Sequence, residues 1–234
     1  MVLLYIVHSV KRKMGRMGKK AYGVILLAVG LLAAPCVSYA ALPLITDDIG
    51  ITETGKYELE IGNDNCRTEH GLEADVYVSL KHGITERMDF GVCLSFQVTP
   101  EVNNRIGCIA LYGKFNLIKN IFAVTVSNEY GTREYFLNAV LSHKFAEVSV
   151  HLNVGYETSG EADVSGNPVV SSAFEYPLKK IDFVGEIILE KAVSPAWQLG
   201  MRYKLDDITF FSVGFNDIFR SAKAILSFGF HTAF

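Results

Sequence analysis

Downstream of residue 55, apolar and polar side chains alternate with a period of two, and the 3.6-residue period of an amphipathic helix is almost absent. Tyr57, Leu59 and Ile61 alternate with Glu58, Glu60 and Gly62, and Leu72, Ala74, Val76, Val78 and Leu80 with Glu73, Asp75, Tyr77, Ser79 and Lys81. After the segment HGITE, Met88, Phe90, Val92, Leu94, Phe96 and Val98 alternate with Asp89, Gly91, Cys93, Ser95 and Gln97. Further segments follow near 107–117, 120–129, 134–145, 147–157, 168–177, 181–190, 196–205, 208–216 and 221–234, for a predicted total of twelve strands. The last ends on Phe234, with Phe230, Phe228 and Leu226 behind it at every second position.

The connections alternate as well. HGITE, IK, AE, PLKK and DD are tight, whereas NDNCRTEHG, TPEVNNR, YGTR, TSGEADVSGN, KAVSPA and NDIFR are longer and more polar. Strands of about ten residues, tilted near 40°, cover roughly 25 Å, the height of the apolar band of a transmembrane barrel. An even strand number leaves both ends of the sheet on the short-turn side. The pattern therefore predicts an all-β fold, a closed, antiparallel, up-and-down transmembrane β-barrel of about twelve strands. In lipid no backbone group can turn to water, so the sheet must close, and the last strand must pair with the first. Its outward face is then Ala224, Leu226, Phe228, Phe230, Thr232 and Phe234, with Lys223, Ser227 and His231 inside. A secreted β-sandwich fits less well, because its edge strands need protecting charges or prolines and the terminal strand has none.

Residues before this region read differently. KRKMGRMGKK carries six positive charges, AYGVILLAVGLLAAP is a fifteen-residue uncharged run, and CVSYAA places small residues at a processing site. This is the order of a secretory signal peptide over 1–40, cut after Ala40. Residues 41–55 then form an N-terminal periplasmic segment, read as a tether or as a piece tucked into the barrel mouth, and 56–234 form the barrel. Removing 1–40 takes six of the 22 basic residues and none of the 25 acidic ones, leaving a net charge of −9. No nucleic-acid partner is expected of so acidic a chain. The remaining cysteines, Cys66, Cys93 and Cys108, form no close pair, and no cofactor or metal site is expected. A hairpin centred on Pro100 and Glu101 would set Cys93 opposite Cys108, both inward.

The opening LPLITDDIGITETGKYELEIG resembles that of the outer-membrane transporter family of the meta-pathway of phenol degradation, matching at Pro43, Leu44, Thr46, Asp47, Asp48, Gly55, Lys56, Tyr57 and Glu60. LKHGITERMDFGV and FEYPLKKIDFVGEIILE are similar to two later stretches of that family. The resemblance implies an outer-membrane channel or transporter for small solutes, aromatic or hydrophobic ones included. The alternatives are a non-conducting structural barrel and, less favoured, an outer-membrane lipid hydrolase. Phe228, Phe230 and Phe234 also resemble the C-terminal signal read by the barrel assembly machinery, which makes that machinery and outer-membrane lipid the expected partners.

Projecting the alternation inward gives Glu58, Glu60, Glu73, Asp75, Asp89, Glu157 and Glu186 with Lys81, Lys114, Arg202, Lys204 and Lys223 as lumen-lining candidates. The acids of the first two strands would form one wall, with Arg202, Lys204 and Lys223 a basic sector across the seam. For a hydrolase, the candidate nucleophile and base pairs are Ser142 with His143 and Ser149 with His151. Both lie near the tight Ala146–Glu147 turn, away from the long loops.

Overall fold

The computed structural model describes residues 42–68, 71–99, 106–161, 164–191, 195–216 and 225–234, with only the backbone of Arg67, Thr68 and Cys108. The 1–40 segment, Ala41, Lys223 and Ala224 lie outside the described residues. Twelve strands follow one another: β1 (Tyr57–Thr68), β2 (Gly71–Thr85), β3 (Met88–Thr99), β4 (Ile106–Ile118), β5 (Phe122–Glu129), β6 (Tyr135–Phe145), β7 (Val148–Glu157), β8 (Asn167–Leu178), β9 (Ile181–Glu190), β10 (Ala196–Lys204), β11 (Thr209–Asn216) and β12 (Ile225–Ala233).

Each strand pairs with its sequence neighbours, and β1 pairs with β12, so the sheet is a closed barrel. The closing register runs from Glu58 opposite Ala233 to Cys66 opposite Ile225. Tyr57 and Phe234 extend it, each donating its N–H to the other's carbonyl at 2.9 Å. Closure removes the unpaired edge that lipid would otherwise strand.

The side-chain distribution is inside-out. Phe90, Leu141, Phe183, Leu199 and Phe211 stand exposed on the outer face, whereas His151 is fully buried and Asn138, Asn153, Gln198 and Arg202 nearly so. Water-soluble domains bury the first kind and expose the second. Leu152, 40% exposed in the middle of β7 and opposite Leu141, is set for acyl chains. Leu152→Arg is expected to destabilise the barrel by about 2–4 kcal/mol, the cost of a cation at the bilayer midplane. Urea unfolding in lipid vesicles checks this; an unchanged midpoint would show that Leu152 does not meet acyl chains.

Three local expectations are corrected. HGITE is not a turn: β2 runs through Thr85 and only Glu86–Arg87 turns, because Gly83 is held by an N–H bond to Lys56 O at 3.1 Å and accepts one from Gly55 at 2.8 Å. Most of NDNCRTEHG is strand, since β1 continues to Thr68 with Asp64 opposite Asp75. Cys93 lies opposite Ala110 rather than Cys108: the pairing is already one residue off the expected register at Phe96 opposite Ile106, and an extra residue in β4 between Leu94 and Phe96 shifts it by one more.

Candidate functional site

The tether reading of the N-terminal segment is also overturned. Residues 42–54 run inside the barrel, with Leu42, Leu44, Thr46, Asp48, Ile49 and Thr52 all buried. This strap is seated by side chains from most of the wall. Arg202 (β10) donates from Nε to Leu42 O at 2.7 Å, and Gln198 donates to Pro43 O. The carboxylate of Glu186 (β9) accepts the N–H of Ile45 at 3.0 and 3.1 Å and that of Thr46 at 2.7 Å. Asn153 (β7) brackets Asp47, accepting its N–H at 2.9 Å and donating to its carbonyl at 2.8 Å. Asn116 (β4) donates to Ile49 O at 3.0 Å, and Asp89 (β3) accepts the Thr52 N–H at 3.0 Å. At the end of the strap Thr54 forms a parallel bridge with Gly83 before the chain enters β1.

Small residues make the room. Gly200, Gly214 and Gly229 lie on the inner face of β10, β11 and β12, and an added Cβ would run into Pro43 at the first two and Leu42 at the third. Beside this cradle Leu44 packs on Ala173 and Val184, and further along the strap Ile49 packs on Ala123 and Val140. Backbone amides without a strand partner are costly inside a barrel, and the wall's carboxylates and amides satisfy them. The strap residues that carry the family resemblance, Pro43, Thr46, Asp47 and Asp48, are thus those that fit the glycine cradle, Glu186, and the cluster around Lys114.

The structure places Glu58, Glu60, Glu73, Asp75, Asp89, Lys114, Glu157, Glu186, Arg202 and Lys204 on the inner face by their register, and Lys223 lies outside the described residues. The acids Glu58, Glu60, Glu73 and Asp75 stand together on β1 and β2, while the basic residues expected across the seam, Arg202 and Lys204, are each engaged by an acid. Lys81 bridges Glu58 at 3.6 Å and Glu60 at 3.4 Å, Arg202 holds Glu175 at 2.8 Å, and Lys204 holds Asp182 at 2.8 Å. Lys114 lies 3.1 Å from Asp48 and 3.8 Å from Asp47. Each of these described basic side chains thus meets at least one acid within 4 Å. Phe228 and Phe234 are exposed on the outer face, and Phe230 packs on Phe211 at 5.3 Å between ring centroids.

Neither expected serine and histidine pair forms. His143 faces outward against Phe145, and Ser149 lies across from Lys144 and Glu175. Ser142 instead bonds His151 Nδ1 at 2.7 Å, while His151 Nε2 stands 3.9 Å from Glu175 Oε1. That combination has the residue types of a nucleophile, base and orienting acid. The distal 3.9 Å contact is too long for a hydrogen bond, Glu175 is engaged by Arg202, and His151 is sealed at 0% exposure. No acyl group reaches Ser142 in this arrangement. Sequence reasoning missed the pair, although a hairpin centred on Ala146 and Glu147 sets Ser142 opposite His151.

The strap divides the remaining space. Towards the short turns, a cavity of about 250 Å³ lies between Ile49–Thr54 and Asn116–Asn120, and one of about 320 Å³ between the strap, Glu58, Phe210 and His231. Deeper in, a cavity of about 60 Å³ adjoins Asp47, Phe136, Val169 and Ile188.

No family model matches the chain, and no curated protein sequence matches it. Among solved structures it is similar to the KdgM porin in complex with disordered oligogalacturonate (TM-score 0.56, 9% identity, 76% of this chain and 99% of that one). It is also similar to the KdgM porin in a second structure (TM-score 0.53, 12% identity, 75% and 99%). At such identities the likeness is one of fold alone, a closed antiparallel β-barrel.

Proposed function

We propose that this chain is a bacterial outer-membrane channel for small solutes, closed in this conformation by residues 42–54. The carrying observation is that the strap is held by a polar wall. Glu186, Asn153, Asn116, Asp89 and Lys114 contact it through hydrogen bonds and ion pairs that water can replace one for one. The strap meets the wall at Gly55, whose φ of +78° gives the chain a sharp corner at its only covalent junction with β1. The likeness to a porin and the resemblance of Pro43 to Glu60 to the phenol meta-pathway transporters support this reading, membership of that family and small aromatic or hydrophobic solutes among those carried. Export by a signal peptide cleaved after Ala40, and delivery to the assembly machinery through Phe228, Phe230 and Phe234, belong to the same proposal.

Single-channel recording of the refolded mature chain in planar bilayers tests it. Wild type is expected to be mostly closed with rare openings. Asp47→Asn with Asp48→Asn removes the charge partners of Lys114, a loss of about 2 kcal/mol of strap seating. That raises open occupancy roughly thirtyfold. A variant as silent as wild type, in a barrel shown to be folded by heat-modifiable migration, would establish a non-conducting structural barrel instead.

A further inference from the structure

The wall around Asp47 is built as a receptor for a carboxylate. Thr125 Oγ1 and Asn138 Nδ2 both donate to Asp47 Oδ2, at 3.0 Å each, and the Lys114 ammonium faces Oδ1 at 3.8 Å. Asn138 is itself fixed by a 2.8 Å bond to Asn153 Oδ1. Asp48, on the same strap, lies 3.1 Å from Lys114 and accepts the Gly50 N–H at 2.9 Å. The two acids differ in access. The Asp48 side chain is 3% exposed and that of Asp47 37%, and Asp47 opens on the 60 Å³ cavity.

We infer that Lys114, Thr125 and Asn138 form a carboxylate-binding subsite of the lumen, filled here by Asp47, which in the open channel takes a small monocarboxylate with an apolar body. The inference rests on the channel reading above and names the class of solute met on the way through. The chemistry follows from what the site lacks without Asp47. Two neutral donors and an ammonium would be left facing inward, and only an anion with acceptor oxygens satisfies all three. A neutral alcohol would not replace the negative charge that the strap had placed beside the ammonium. The neighbouring walls restrict the rest of the molecule: Phe136, Val169 and Ile188 line the adjoining cavity beside the neutral Asn153 and Ser171, so an apolar body is favoured there and a second carboxylate would lose water without meeting a cation among the lining residues. Seating of Asp47 and binding of an external carboxylate exclude one another, so the solute favours strap release by mass action.

The test is hydrogen exchange of the Ile45, Thr46, Asp47 and Thr52 amides in the refolded mature chain, titrated with sodium benzoate against sodium chloride at equal ionic strength. Benzoate at ten times its dissociation constant is expected to speed their exchange about tenfold, and chloride to leave it unchanged. Sodium succinate is expected to act more weakly than benzoate. Lys114→Gln raises basal exchange but abolishes the benzoate response. Thr125→Val, which keeps the charge, shifts the response to higher benzoate. Equal effects of benzoate and chloride, or a benzoate response that survives both substitutions, would overturn the inference. A conducting barrel without a benzoate response removes the subsite and leaves the channel reading, whereas a benzoate response in a barrel that never conducts does the reverse.

Discussion

Arg202→Met is expected to destabilise the barrel by about 3–5 kcal/mol, the usual penalty for stripping one partner from a buried ion pair. Arg202 is 3% exposed on the inner face of β10, 2.8 Å from Glu175, and its Nε supports Leu42 O at 2.7 Å. Without the guanidinium, the Glu175 carboxylate remains inside the barrel with His151 Nε2 3.9 Å away. Methionine preserves the volume, so the loss is electrostatic rather than a cavity. Urea unfolding in lipid vesicles measures it. The double variant Arg202→Met with Glu175→Gln is expected to recover much of the loss, because the stranded charge goes with its partner. Single and double variants of equal stability would show that Arg202 acts through packing and the Leu42 contact alone.

Gly83→Val is expected to unseat the lower half of the strap. An added Cβ on Gly83 would fall on the carbonyl oxygens of Thr52 and Glu53, which are backbone atoms with no rotamer to move into. The strap then loses its bridge at Thr54, the 2.8 Å bond from Gly55 N–H to Gly83 O, and the 3.0 Å bond from Thr52 N–H to Asp89. The overlap costs about 1–3 kcal/mol, since the strap rather than the sheet yields. That is roughly one to two powers of ten in the strap-opening equilibrium. Faster hydrogen exchange at Thr52 and a matching rise in open occupancy are the two readouts. Gly113→Ala serves as the control, because its Cβ would meet only Asp89 O at 3.7 Å. A Thr52 amide as protected in Gly83→Val as in wild type would mean that the strap's seat does not depend on that contact.

The catalytic look of Ser142, His151 and Glu175 shows where residue types mislead. Ser142 beside His143 in the chain invites a pairing that a strand forbids, because neighbours point to opposite faces. The pairing that does form follows from the tight Ala146–Glu147 turn, which makes opposites of 142 and 151. That much was within reach of the sequence. The Cys93 register was harder to read: the shift falls between Leu94 and Phe96, opposite Ile106 to Ile109, and Gly107 within that stretch is the mark of a bulge that the sequence carried there.

The alternation downstream of residue 55 determined the twelve strands, the outward and inward faces, and the closure of β12 on β1. It could do so because each strand solves the same local problem, an apolar face for lipid and every backbone group paired, and records the solution in its own period of two. Only the tertiary structure decided what fills the barrel. The strap has no period, and Leu42 to Asp48 reads equally well as a tether, since its partners stand 66 to 160 residues away at Lys114, Asn153, Glu186 and Arg202. The same holds for the charges. A residue's parity shows that Lys81, Arg202 and Lys204 point inward, but their partners Glu60, Glu175 and Asp182 follow from strand register and side-chain reach. Both of those are set by how the barrel closes rather than by any one segment of the chain.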